Sequence, residues 1–380
     1  MRGPTPGEGA MQFGMLYEIQ VPKPWQARSE YDAYQQVVAQ VQLAETVGFE
    51  SCWTVEHHFL SEYSHCSAPE VLYGYLAAKT SRLRLGHGVV LLPFPYNHPI
   101  RVAERIATLD LLSNGRVEFG TGRSGTRIEL DGFGIPLEES RARWEEALDM
   151  IPQMWMQETF SHEGTYFRIP ERVIVPKPLQ KPHPPIWMAA TSSESHEIAG
   201  RKGLGLLSLT TLLTPEDVLA RIRRYRTALL DAKPVGGMSN PRVAVLQVVH
   251  CAPTMQEARA NAEASVMWFH EQVFAFSRPF IRDDIPQSYR YLQGIQKVDT
   301  RNITFDYLFN NNMIIVGDPE HCIQRLKIYY EYGVDLILCL MQLYTVPHEN
   351  VLESIRLFGT HVIPYFQSLS SSRQKPLPYS

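Results

Sequence analysis

Cysteine is scarce in this 380-residue chain: five residues, Cys52, Cys66, Cys251, Cys322 and Cys339, none in a C-x-x-C pair. An odd, widely spaced set argues against the disulfide framework that staples small secreted domains. Long apolar runs are also missing, since nothing approaches the ~18 uninterrupted apolar residues of a membrane span. Neither sign of charge dominates. The 36 Lys and Arg against 40 Asp and Glu leave a net charge of −4, and without a basic block there is no electrostatic reason to expect nucleic acid. The opening MRGPTPGEGA has no apolar signal core, so a cytoplasmic location is expected. A P-loop, a G-x-S-x-G elbow and the H-x-H or H-E-x-x-H spacings of zinc sites are absent as well, and no metal is expected.

What is present is a βα rhythm. Short apolar runs fall at 13–17, 51–55, 83–92, 116–120, 185–189, 205–209, 243–249 and 335–340, and eight is the number that closes a parallel barrel. Amphipathic helices separate most of them. Trp144, Leu148, Ile151 and Trp155 share one helical face, and Thr214-Pro215-Glu216-Asp217 reads as an N-cap, an N1 proline and an acidic first turn. Thr254 with Glu257 has capping-box spacing, and Asp318-Pro319 opens a helix that Gly333 ends. The expected fold is α/β, a (β/α)8 TIM barrel with insertions at its C-terminal face. Residues 1–10 are a Gly/Pro-rich tail, 11–367 form a single barrel domain, and 368–380 are a polar tail. The insertions are Thr121 to about Pro136 and about Thr254 to Val316. Their aromatic stretches 268–280 and 305–309 suggest an apolar substrate cavity, or equally a helical hairpin packed on the barrel.

Three motifs carry chemistry. Gly120-Thr121-Gly122-Arg123-Ser124-Gly125 satisfies G-x-G-x-x-G after a strand, but two further glycines and a proline follow, so no helix is expected there and a dinucleotide site is disfavoured. A glycine-rich strand end that lets a flat ligand approach, with Arg123 beside it, fits better, against the plain alternative of a surface turn. Glu56-His57-His58-Phe59 follows the second strand, where a histidine reaches a barrel's reaction site. Alternation along a strand keeps the three polar side chains from converging on a metal. Thr191-Ser192-Ser193-Glu194-Ser195 opens a helix after the fifth strand. Its free N–H groups and hydroxyls suit phosphate or simply cap the helix, and Arg123 and Arg141 strengthen the anion reading.

Taken in order, FGMLY, AETVGFESCWTVEHHF, LRLGHGVVLLP with Asn97-His98-Pro99, RVAERIATLDLLSNGRVEFGTGR, ESRARWEEAL, PIWMAATSSES and IIVGDPEHCIQRLKIYYEYGVDLILCL resemble the bacterial luciferase-like flavin-dependent monooxygenases over residues 11–367. The resemblance implies a homodimeric barrel using reduced, dissociable FMN and O2 to oxygenate an apolar small molecule through a C4a-(hydro)peroxyflavin. A separate NAD(P)H:flavin reductase would supply the FMN, since this chain has no length left for one. Arg123, Arg141, Ala190, Thr191, Ser192 and Ser193 look like the phosphate side. Gly88-Val89 matches a cis peptide against the flavin, with Glu56 and Ser208 beside the cofactor, and His57 matches the catalytic histidine. Gly122 stands where luciferase has a cysteine, which puts light emission in doubt, and Thr191 replaces an acidic residue. Two alternatives remain: a deazaflavin-dependent hydride-transfer enzyme on the same fold, and a flavin-binding protein without turnover.

Overall fold

The computed structural model describes residues 10–280, 285–292 and 302–369. Most of both expected tails, and parts of the second insertion, lie outside the described residues. Eight parallel strands close a barrel: β1 (Gln12–Tyr17), β2 (Ser51–Thr54), β3 (Arg84–His87), β4 (Val117–Gly122), β5 (Ile186–Ala190), β6 (Gly205–Ser208), β7 (Val243–Cys251) and β8 (Leu336–Leu340). Each strand pairs with the next, and β8 pairs with β1 to complete the ring. All eight expected strands are therefore present. Their interior residues are buried on both faces, as a parallel sheet wrapped by helices requires.

The α-helices among the described residues are α1 (Ser29–Thr46), α2 (Pro69–Lys79), α3 (Pro99–Leu112), α4 (Arg127–Gly132), α5 (Ser140–Met156), α6 (Ser193–Arg201), α7 (Pro215–Leu229), α8 (Met255–Ser277), α9 (Phe305–Asn310), α10 (Pro319–Glu331), α11 (His348–Leu357) and α12 (Ile363–Ser368). The Thr214–Asp217 capping box of α7 is reciprocal, and Thr254 accepts from the Glu257 amide at the start of α8. Gly333 follows α10 with φ +71°, a conformation glycine adopts without a Cβ penalty.

Two expectations need correction, and one further element was not anticipated. The third apolar run is not one strand: it breaks after His87, and Val90–Leu91 resumes pairing with Thr121–Gly122. A short helix, α4, does follow the glycine-rich segment. Ser124 and Thr126 both turn their hydroxyls onto Glu129 in its first turn, which organises the turn without any ligand. An antiparallel hairpin, Phe160–Glu163 with Arg168–Arg172, follows α5. The Glu146 carboxylate of α5 holds its bend by accepting from the amides of Thr165, Tyr166 and Phe167.

A second, smaller apolar cluster sits over the mouth, apart from the barrel core. It joins Leu130, Ile135 and Leu137 to Phe280, Ile285, Tyr289 and Leu292. The two long insertions thus pack on each other above the strand ends. Among the described residues, no helix is long and apolar enough to cross a membrane.

Candidate active site at the barrel mouth

Strand register sets the site. Tyr17 lies opposite Thr54, Thr54 opposite His87, and Ala190 opposite Ser208. The residues just beyond these ends meet around one mouth, at the C-terminal face where barrels carry their reaction sites. They wall a cavity of about 340 Å³, within the range of small-molecule pockets. Leu16, Met188, Leu207 and Leu338 contribute apolar floor and wall, and Phe269 and Phe276 reach in from α8. The first aromatic stretch therefore lines the cavity. The second does not: Phe305 and Leu308 are buried in the main core, and Phe309 stacks on His321.

On one side of the mouth an imidazole sits between two carboxylates. His57 Nδ1 donates to Glu129 Oε1 at 2.9 Å, and His57 Nε2 lies 3.7 Å from Glu18 Oε2. Glu129 is fully buried and also accepts from the His58 amide and from the Ser124 and Thr126 hydroxyls. Burial alone would raise its carboxyl, but the charge and hydrogen bond of His57, with the two hydroxyls, pull it down to about 2. Burial likewise opposes charge on His57, yet Glu129, then Glu18 and Glu56, push the imidazole up to about 9. Glu18 is dominated by burial, which raises it to about 7 against the smaller lowering by His57 and the Tyr63 hydroxyl. The His57 side chain keeps 22% exposure, toward the cavity it lines.

Glu56 lines the same cavity, but its oxygens are occupied. Oε2 accepts from the Leu91 amide and Oε1 from the Asn97 side chain, so it braces the loop that carries Gly88-Val89. The chain is no longer a strand beyond Thr54, and Glu56 and His57 reach the cavity side by side despite the alternation expected of a strand. The Gly88–Val89 peptide is cis, and both residues line the cavity. Gly122 faces them: a Cβ there would fall 2.4 Å from Val89 Cγ2, so this wall has no room for a cysteine at 122.

The opposite side gathers hydrogen-bond donors and arginines. Ser192 caps α6, and the N–H groups of Ser193 and Glu194, at its first two positions, have no intrahelical acceptor. His196 ties this turn to the strand end. Its Nδ1 donates to the Ser192 carbonyl at 2.7 Å while Nε2 accepts from the Ser208 hydroxyl at 3.0 Å. Burial lowers His196 to about 4, which keeps the ring neutral and the tautomer fixed. Thr191, Ser192 and Ser208 line the cavity; Ser193 offers its backbone from the first helical turn. Ala190 stands behind the wall, fully buried, its carbonyl accepting from the Leu209 amide.

The arginines divide by how committed they are. Arg141 lines the cavity but is paired bidentately with Glu194 at 2.7 and 2.9 Å. Arg123 donates to the Ser288 carbonyl at 2.7 Å and to the Ser140 hydroxyl at 3.0 Å, and its guanidinium lies 3.9 Å over the Tyr289 ring. Arg221, from α7, also lines the cavity. It donates to the Thr191 carbonyl, and burial pulls its pKa down, as desolvation does to any cation. Sequence reasoning passed over Arg221, Glu18 and Glu129. The donor set fits reduced FMN: free helix N–H groups, Ser192 and Arg221 suit a phosphate, and apolar walls beside Val89 suit a flat ring system.

A family model described as "Luciferase-like monooxygenase" matches residues 11–336. An uncharacterized protein, y4vJ, of Sinorhizobium fredii is 36% identical over 87% of this chain and 91% of its own length. The oxygenase component of the flavin-dependent trigonelline monooxygenase of Acinetobacter baylyi is 26% identical over 86% of this chain and 87% of its own. Among solved structures, monooxygenase RslO1 from Streptomyces bottropensis superposes with a TM-score of 0.75 at 26% identity, covering 94% of this chain and all of that one. An F420-dependent secondary alcohol dehydrogenase shares the fold with a TM-score of 0.68 at 17% identity, covering 93% of this chain and 98% of that one.

Proposed function

This chain belongs to the luciferase-like monooxygenase family, and from that premise we propose that it is the oxygenase component of a two-component system. Reduced FMN would come from a separate NAD(P)H:flavin reductase in the cytoplasm, and the substrate is a small apolar molecule. One observation carries the reading: a clamped histidine and an anion cradle face each other across a single apolar cavity of about 340 Å³. When bound, reduced FMN supplies the electrons that activate O2 for transfer of one oxygen atom.

The protein's part is to bind, orient and exclude water. Thr191, Ser192, the N–H groups of Ser193 and Glu194, and Arg221 hold the phosphate, with Arg123, Arg141 and Ser208 around them. Gly88, Val89 and Gly122 shape a shallow wall for the ring system. Leu16, Met188, Leu338 and Phe276 keep water from the reacting centre. His57 is the proton-handling residue, turned toward the cavity by its Nδ1 bond to Glu129.

A homodimer is part of this reading. Helix α2 is apolar nearly all round, which is the composition of a covered helix. Val71 and Tyr75 on α2 and Leu112 on α3 are nonetheless exposed, and Gly74 between them leaves room for a second surface to approach.

An anaerobic titration with reduced FMN, and in parallel with the reduced deazaflavin, tests the function. Tighter FMN binding and O2 uptake coupled to substrate oxygenation are expected. Preference for the deazaflavin, with substrate oxidised or reduced and no O2 consumed, would overturn it in favour of hydride transfer.

A further inference from the structure

One carboxylate oxygen at the mouth is left without a use. Glu18 follows β1 directly and is 5% exposed. The Ser64 hydroxyl donates to its carbonyl at 2.6 Å and fixes its backbone, while Tyr63 donates to Oε1 at 3.3 Å. Oε2 is buried and has no hydrogen-bond partner among the described residues. Leaving a buried acceptor unpaired is costly, so such groups call for a reason. The nearest basic atom is His57 Nε2, at 3.7 Å. A small side-chain rotation would turn this gap into a hydrogen bond.

The two nitrogens of His57 therefore meet two different acids. Glu129 is held ionised by four donors and cannot serve as a proton reservoir. With Glu129 alone, the imidazole would stay protonated on both nitrogens and offer no lone pair to the cavity. We propose that Glu18 is a positioning residue that takes the Nε2 proton of His57 onto Oε2, leaving a neutral imidazole that acts as the base toward substrate.

The transfer balances. The Nε2–H bond breaks, an Oε2–H bond forms, and Nδ1–H stays on its bond to Glu129. Nε2 then accepts a proton from a substrate O–H, N–H or C–H, whose electron pair remains on the substrate. At rest the proton stays on His57, raised to about 9, and of the two carboxyls Glu18, raised by burial to about 7, is the one able to take it, since Glu129 is held near 2. The groups facing Glu18 are His57 and Tyr63 from the segment after β2, and Glu129 from α4; Glu56 acts on His57 at longer range. The other walls, β8 and α8, present Leu338, Phe269 and Phe276, which do not titrate.

This inference rests on the proposed role of His57 as a proton carrier, but its test does not need flavin. In the flavin-free protein with ¹⁵N-labelled histidine, the His57 ring nitrogens should titrate in two coupled steps. Glu18→Gln, which keeps the shape and a polar group for Tyr63, should leave one step, shifted to lower pH. Tyr63→Phe, which leaves the carboxylate and removes a donor to it, should shift the Glu18-linked step upward. In turnover, Glu18→Gln should lower kcat on the order of 10²-fold, the scale of lost acid–base help, with KM and reduced-FMN affinity unchanged. Glu18→Asp should restore part of the lost pH limb. A His57 titration identical with Glu or Gln at position 18 would overturn the proposal, even in a protein that binds reduced FMN and oxygenates substrate. Failure to bind reduced FMN, with the coupled titration intact, would instead count against the FMN reading alone.

Discussion

His57 and Glu129 are shifted in opposite directions, and the signs define a pH window. Glu129 is depressed to about 2, so its stabilisation is complete above the ordinary carboxylate range and lost as pH falls toward 2. His57 is raised to about 9, so its share is complete below its ordinary value near ~6.5 and lost as pH rises through 9. Glu18, also raised, stabilises below its ordinary range and loses that as pH passes about 7. Melting temperatures of wild type and Glu129→Gln should therefore differ most near pH 5–6.5, and the gap should shrink above pH 9. An equal gap at pH 6 and pH 9.5 would mean that the pair is not ionised in the fold. At the opposite wall, Arg221→Ala should weaken reduced-FMN binding by ~1.5–3 kcal/mol, the worth of a hydrogen bond to a charged group. Arg141→Ala should cost less, because Glu194 already neutralises that guanidinium. Anaerobic titration of both variants decides the order. Position made His57 legible, since it lies just past the end of a strand. Burial of a carboxylate leaves no mark in one sequence, so Glu18 and Glu129 stayed hidden, although Thr126 and Glu129 do have capping-box spacing. Arg221 had a usable signal: it lies three residues after Val218 and four before Tyr225, on the buried stripe of α7.

The elements that hold the cradle meet closely. Gly200 of α6 faces α7 so tightly that a Cβ would lie 2.4 Å from the Tyr225 carbonyl oxygen and 2.9 Å from Ala228 Cβ. Gly200→Ala must push the two helices apart, at about 1–3 kcal/mol for overpacking. It should lower the melting temperature and also weaken reduced-FMN binding, because α7 carries Arg221 and α6 carries Ser192's turn. A lowered melting temperature with unchanged affinity would show that the cradle does not depend on this contact. Element order was readable because each barrel strand is an apolar run bounded by turn residues. Breaks within runs were not: 83–92 reads as one mainly apolar run despite Arg84 and His87, and it is the tertiary pairing of Val90–Leu91 with Thr121–Gly122 that divides it. The 160–172 hairpin escaped for a related reason. Its strands are polar and largely exposed, and its bend is held by Glu146 from another element.

For the whole molecule, α2 and α3 leave apolar side chains outside. Tyr75→Glu or Leu112→Glu should halve the mass measured by light scattering if the proposed homodimer forms there; an unchanged mass would move the interface elsewhere or remove it. The cluster above the mouth has a different bearing. It is a small core of its own, joined to the barrel rim partly through Arg123, which spans from the end of β4 to Ser288 and Tyr289. Such a unit can melt and re-form while the barrel stays folded. Amide hydrogens at 285–292 should then exchange with a free energy well below that of the barrel strands, and bound reduced FMN should slow that exchange if its phosphate draws on Arg123. Entry of substrate would then depend on a local folding equilibrium, and by reciprocity whatever tightens flavin binding through that contact would also raise the population of the shut mouth.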